Sequence, residues 1–377
     1  MEKLVQTLLH PRLPRLRIQR IRNNQTFKEN TMSAQNPASR ALTFLALLVV
    51  GLGLIPVPSA AQYAVTNLVS SQAGKAKHQD AQLLNAWGIA YAPSGPFCVA
   101  DAGAGLATFY DAQGVKQSQV ITVPSISKHH GTPTGVVYNS TTDFQVSQGG
   151  HSGPASFIFD TIDGTISGWN SSVNSNNAIV VINNSSQGAS YTGLAIGVSQ
   201  GANFIYAADH NNNKVDVYDG AFNLVKSFTD PNLPAGSAPF NVQTINGQLF
   251  VAFTNPKVGG AIDIFDMAGN LIKTLAQGSE LKGPWGLARA PRNFGTESKT
   301  LLVGNLNDGR INAFNATTGQ LIGPLTNPQG KVISNIGLWG IVFGGGGSQN
   351  GKTNQLFFAA GPNNEKAGLF AVINYKK

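Results

Sequence analysis

The sequence predicts an all-β chain in which six similar units, each of four antiparallel strands, close into a ring. Three observations carry this reading. Six segments begin alike: AWGIAYAP at Ala86, PTGVVYNS at Pro133, YTGLAIGV at Tyr191, PFNVQTIN at Pro239, PWGLARAP at Pro284 and LWGIVFGG at Leu338. Aligned on the third residue, they place Gly88, Gly135, Gly193, Asn241, Gly286 and Gly340 in one column, 45 to 58 residues apart. No stretch after Ala61 sustains a helical period of apolar residues. A repeat of this length with several strands per unit is the signature of a blade, and six blades make a six-bladed β-propeller.

The elements follow in chain order. Ala41 to Val57 is an uncharged apolar run preceded by Arg40, and Ser59 and Ala61 supply the small residues that precede a cleavage site. Residues 1–61 therefore read as an N-terminal extension and secretory signal peptide, cut after Ala61. A retained membrane anchor is the competing reading, but the run is short for a span of about 20 residues and carries Gly and Pro near its end. Met32 would open a conventional signal, MSAQNPASRALTFLALL, ahead of which residues 1–31 add only Arg-rich sequence.

The leader also distorts the charge. Of the net +8, +6 lies in residues 1–61 and +2 in residues 62–377. The folded part thus gives no hint of nucleic acid as a partner, and contact with a membrane is expected only in transit, through the signal. Charged residues are 12% of the chain, against about 25% in average globular proteins. The surface must be built from Asn, Gln, Ser, Thr and Gly, which fits an exported, periplasmic or extracellular β protein. The one cysteine, Cys98, excludes an internal disulfide and alternates with apolar neighbours in PFCVAD, so it reads as a small buried hydrophobe.

Tyr63 to Ser70 (YAVTNLVS) is a spare strand ahead of the first unit. The last unit, from Leu338 to the chain end, is too short for four strands. The spare strand is expected to join that last blade from outside and close the ring, removing an open sheet edge. Within each unit a second strand recurs as FCVAD, FIFDT, IYAAD, LFVAF, LLVGN and LFFAA, and a third as ATFYD, TISGW, KVDVYD, AIDIFD, RINAFN and AGLFAV. Each is short, rich in β-branched and aromatic residues, and bounded by Gly and polar turn residues. The second unit is long because residues 139–154 form an inserted hairpin or loop. Residues 62–377 are thus expected to be a single propeller domain and a monomer.

In register, the second strands end on Asp101, Asp160, Asp209, Asn255, Asn305 and Gly361. Two readings of this ring stand side by side. In one, each side chain hydrogen-bonds the backbone of the turn that follows it. In the other, Asp101, Asp160, Asp209 and Asn305 converge at the channel mouth and hold Ca2+, which takes 6–8 oxygen ligands in flexible geometry. His129, His130 and His210 lie in loops expected on the same face and are candidate general bases; no metal-ligand spacing supports them, and loop histidines on a polar surface are the simpler account. Trp87, Trp285 and Trp339 occupy equivalent positions at blade starts, either as packing between blades or as a stacking platform on the channel face. No nucleophile elbow, H-E-x-x-H helix, P-loop or dinucleotide fingerprint is present.

Laid out in this way, LLNAWGIAYAPSGPFCVADAGAG, FIFDTIDGTISGWN, YAADHNNNKVDVYD, GPWGLARAPRNFG and LLVGNLNDGRINAFNATTGQLIG resemble a family of exported bacterial propeller proteins grouped with PEP-CTERM-associated hypothetical proteins, and single blades resemble NHL repeats. The resemblance runs from about residue 63 to 371. It implies a six-bladed propeller and export, and it carries no reaction. The chain departs from the pattern in ending GLFAVINYKK, without a Pro-Glu-Pro sorting tail, and in placing Cys98 where FxVAD would carry an aromatic.

The functional expectation is a propeller that binds a small molecule, glycan or protein on its channel face. A calcium-dependent hydrolase or lyase resembling propeller lactonases is the alternative, and a structural role in a cell-surface matrix the second. The three differ in what the ring should do. An enzyme needs the ring oxygens to converge, a binder needs an open mouth, and a matrix protein has side chains folded onto their own turns and no deep pocket.

Overall fold

The computed structural model describes residues 63–126 and 130–376; the leader, with its signal, start-site and anchor readings, and His129 lie outside them. Six blades follow one another around a central channel. The first is Ala86–Tyr91, Phe97–Asp101, Leu106–Tyr110 and Lys116–Thr122. The second is Pro133–Tyr138, Phe157–Thr161, Thr165–Trp169 and Ile179–Asn183, with the inserted residues forming the hairpin Gln145–Gln148 and His151–Pro154. Blade 3 is Tyr191–Ser199, Ala202–Asp209, Lys214–Asp219 and Leu224–Phe228; blade 4 is Ala238–Ile245, Gln248–Thr254, Gly260–Phe265 and Leu271–Gly278. Blade 5 is Pro284–Arg289, Leu301–Asn305, Ile311–Phe314 and Leu321–Pro324.

Blade 6 supplies only three strands from the chain end, Leu338–Phe343, Gln355–Ala360 and Leu369–Tyr375. Its fourth is Tyr63–Ser70, antiparallel to the last strand with Tyr63 opposite Tyr375 and Ser70 opposite Leu369. Closure by the N-terminal strand, expected from the short last repeat, is what the structure shows. His78–Gln79 then adds a short parallel pairing outside it. The fully buried Tyr63 ties this closing strand to blade 5, its hydroxyl donating to the Phe294 carbonyl at 2.7 Å.

The core is not one mass. Six apolar clusters form, one at each interface between neighbouring blades. Strand residues alternate in direction, so each blade offers one apolar face to each neighbour. Cys98 lies fully buried between blades 1 and 2 among Phe109, Val136 and Phe159, and burial raises its thiol pKa well above the ordinary value. It packs as a hydrophobe, as its alternation predicts.

One local feature decides where the channel side chains point. In every blade the pairing of first and second strands slips at the Trp-Gly or equivalent position, between Ala86 and Ile89 in blade 1 and between Leu338 and Ile341 in blade 6, for example. Such a bulge bends the strand and re-aims a side chain. The column glycine sits in the bulge because the next blade presses on it. A Cβ at Gly340 would stand 2.6 Å from the Trp87 carbonyl oxygen, and one at Gly286 2.6 Å from that of Trp339. Blade 4 carries Asn241 there, and its amide donates to the facing Trp285 carbonyl at 2.7 Å, so a side chain bridges what elsewhere is backbone contact.

Candidate functional site

The ring residues sit where the first strands enter, Ala86 opposite Asp101 and Tyr191 opposite Asp209. We call this the entry face. Their side chains turn inward to their own blades. The Asp209 carboxylate accepts from the Ser190 N–H at 3.0 Å and from the Asn212 amide at 2.7 Å. Asn255 accepts from the Lys257 N–H at 3.0 Å and donates to Ser237 at 3.0 Å. Asn305 donates to the Glu280 carbonyl at 2.8 Å. Asp160 accepts from Thr134 Oγ1 at 2.8 Å and from the Gly135 N–H at 2.5 Å, which caps the bulge of blade 2. Asp101 accepts from Thr108 Oγ1 at 2.7 Å.

These carboxyls are costly to bury. Asp160 is raised to about 6 by desolvation, against the Thr134 and Gly135 hydrogen bonds, and Asp101 is raised well above the ordinary range for the same first reason. Among the described residues no three His, Cys, Asp or Glu side chains come together as a metal cage. Asn255 and Asp209 reach the backbone of the turn that follows them, whereas Asp101 and Asp160 bond strand hydroxyls and a bulge N–H and Asn305 bonds the preceding loop. Calorimetric titration of calcium into metal-stripped residues 62–377 is therefore expected to give no saturable heat, while Asp209→Ala lowers stability by about 1–3 kcal/mol through the donors it strands. Saturable binding abolished by Asp101→Ala and Asp209→Ala would restore the ring as a metal site.

The three tryptophans meet each other. Trp87 and Trp339 stack with ring centroids 3.4 Å apart and planes 19° apart, and Trp285 stands edge-on to both at 6.1 and 6.0 Å. Phe240 of blade 4 completes the group, 5.7 Å from Trp339. All four are buried, none above 5% exposed, so they form a plug across the channel rather than a stacking platform. Blades 2 and 3 carry the smaller Thr134 and Thr192 at this position. The Trp285 indole crosses to the Thr192 carbonyl at 2.7 Å, and the Trp339 indole donates to Asn85 Oδ1 at 3.2 Å.

The histidines do not converge on the ring. Exposed His130 contacts its neighbour's carbonyl through Nδ1 at 3.2 Å. His210 Nδ1 lies 3.0 Å from the Pro239 carbonyl, its ring beside Phe240, and burial lowers its pKa. Sequence reasoning passed over Glu365. It closes three successive left-handed residues, Asn363 (φ 58), Asn364 (φ 53) and Glu365 (φ 65). Its Oε2 accepts from Asn85 at 3.3 Å, its Oε1 is buried without a partner, and burial raises its pKa to about 7.

The open mouth is on the other side, the exit face, where the first strands end. A space of about 310 Å³ is walled by Ile89, Tyr91, Leu287, Ile341, Val342 and Phe343, with Gln243, Thr244 and Arg289 as polar members. Above it, at the glycine column, the channel narrows to about 20 Å³, room for a single water. A second space of about 410 Å³ runs outward between blades 4 and 5, and Ile245, Asn246 and Arg289 line both. The wall between them is the Asn246-Gly247 turn (φ 50 and 72), a hairpin that needs left-handed residues. Arg289 was visible in the sequence: at its repeat position the other blades carry Tyr91, Tyr138, Ile196, Thr244 and Phe343.

No protein-family model matches the chain. An uncharacterized protein of Acanthamoeba polyphaga mimivirus is 28% identical over 326 residues, 82% of this chain and 79% of that protein. A second from the same virus is 33% identical over 251 residues, but the match spans only 46% of its length. These relatives are viral, so they do not support the bacterial family to which the motifs point. Among solved structures, virginiamycin B lyase from Staphylococcus aureus has TM-score 0.51 at 12% identity, over 84% of this chain and 99% of that one. A streptogramin B lyase has TM-score 0.52 at 11% identity, over 83% and 98%. Likeness at this identity shows the propeller fold.

Proposed function

We propose that this chain is an exported, monomeric binding propeller that takes a small molecule in the exit-face mouth of its channel. The observation that carries this is the cavity itself, about 310 Å³, in which Gln243, Thr244, Asn246 and Arg289 share the lining with aliphatic and aromatic side chains, within the size range of small-molecule sites. Export is supported by the leader, with its apolar run and Ser59 and Ala61. The ring's side chains fold onto their own blades, as a matrix protein would have them, yet a matrix protein needs no such mouth. One oxygen each of Asp101, Asp160 and Asn305 is buried without a partner, but among the described residues no three Asp, Glu, His or Cys side chains come together, so the calcium-dependent hydrolase is the weaker reading. The expected ligand position is thus opposite to the face on which the sequence placed it.

Gln243 tests the reading, because it is exposed and lines both the mouth and the narrow channel above it. Gln243→Trp should obstruct the cavity and leave the melting temperature within about 2 °C, as surface changes do. Fragments that broaden in ligand-observed NMR with the wild type should lose that broadening with the variant. Equal broadening with both proteins would place binding elsewhere and overturn the proposal.

A further inference from the structure

Arg289 is the one titratable group at the mouth whose charge has no answer. Its Nη1 is buried without an acceptor, and it has no ion pair among the described residues. No Asp or Glu lines either of the two spaces it borders. The other cation there, Lys273, donates to the Thr317 carbonyl at 2.6 Å and lies in the outer space only. A guanidinium stays protonated at any physiological pH, and its fork of donors matches a carboxylate or phosphate oxygen pair. Around it the walls are aliphatic and aromatic, Ile89, Leu287, Ile341 and Phe343. Burying a cation against such walls is unfavourable until an anion arrives.

Resting on the proposal that the mouth binds a small molecule, we propose that its ligand is an organic anion: a carboxylate or phosphate-monoester head held by Arg289, with an apolar body against the walls of the mouth. The head sits where the two spaces join. The body fills the inner space against Ile89, Leu287, Ile341 and Phe343, which come from three blades and surround it, whereas the large apolar residues of the outer space come from blade 4 and line one side. A phosphate head, with a second charge and a third oxygen, extends toward Lys273 in the outer space; a carboxylate does not.

The test uses phenylacetate, its neutral isostere phenylacetamide and phenyl phosphate, titrated by calorimetry into residues 62–377. Phenylacetate should bind and phenylacetamide should bind far more weakly. Arg289→Gln should weaken the two anions on the order of 10- to 100-fold, the range for a hydrogen bond to a charged group, and leave phenylacetamide unchanged. Arg289→Lys should recover part of the loss. Lys273→Ala should weaken phenyl phosphate and leave phenylacetate unchanged, and the wild type's preference between the two anions shows which head the site takes. Because Arg289 lacks a partner, Arg289→Gln should not lower the melting temperature, which separates a ligand role from a structural one.

If phenylacetate and phenylacetamide bind equally, or phenylacetate is indifferent to Arg289→Gln, the anion inference falls. The mouth reading survives that result provided Gln243→Trp still abolishes both. If no probe binds the wild type at millimolar concentration, both fall together.

Discussion

Trp339→Ala should lower the stability of the propeller by about 3–5 kcal/mol, the range for removing a large buried aromatic. Trp339 is 1% exposed and is the hub of the plug, stacked on Trp87 and edge-on to Trp285 and Phe240. These partners come from blades 1, 4 and 5, so the substitution loosens contacts that cross the ring rather than one interface. It also strands Asn85 Oδ1, which accepts the indole N–H. For a domain of this size the loss corresponds to a fall in melting temperature on the order of 10 °C. Differential scanning calorimetry decides it, and a fall of only about 2 °C would mean that the plug is not a packed core.

Stability should fall as pH rises from 5 to 8, the reverse of the usual carboxylate behaviour. Burial raises Asp263 to about 7, Glu365 to about 7, Asp160 to about 6 and Asp101 well above its ordinary range. For Asp263 the adjacent Asp230 adds to the burial effect. Each of these acids holds its proton in the fold at pH values where the unfolded chain has released it. Stability is then fully present below the unfolded value near 4 and is lost as pH rises through the folded one. His210 acts in the opposite sense: burial lowers its pKa, so its contribution is lost as pH falls below 6.5. One histidine opposes five carboxyls, since burial raises Glu297 as well.

Asp263→Asn removes one of the most strongly displaced of these carboxyls. Both Asp263 oxygens are buried without a hydrogen-bond partner, and a move from 3.8 to about 7 corresponds to about 4 kcal/mol in the alkaline limit. The variant should be more stable than the wild type at pH 8, nearly equal at pH 5, and flatter between. Urea unfolding at the two pH values measures this. A wild type that gains stability between pH 5 and 8 would contradict the assignment of these carboxyls as buried and protonated.

Much of the architecture was legible because a propeller repeats its physics. The column from Gly88 to Gly340 recurs because each blade needs backbone contact with the next, and the short last unit and spare Tyr63–Ser70 strand could only complete each other. The Asp and Asn ring was legible as a position but not as a destination. Whether Asp160 faced the channel or the Gly135 N–H depended on a bulge, where two residues oppose one and strict alternation fails. The same bulges turned the tryptophans into the channel and closed it, which moved the open mouth to the other face. Arg289 was passed over in the sequence, although it is the one charge in its repeat column. Its missing counter-charge could not be read from the sequence, because the groups around it come from blades 1, 4, 5 and 6.

The most direct measurement is chemical-shift mapping of isotope-labelled residues 62–377 titrated with phenylacetate. The account predicts saturable shifts clustered at Gln243, Thr244, Asn246, Arg289 and Phe343. Shifts clustered instead at Asp101, Asp209 and the Asn363–Glu365 turn would put the site on the entry face and contradict it.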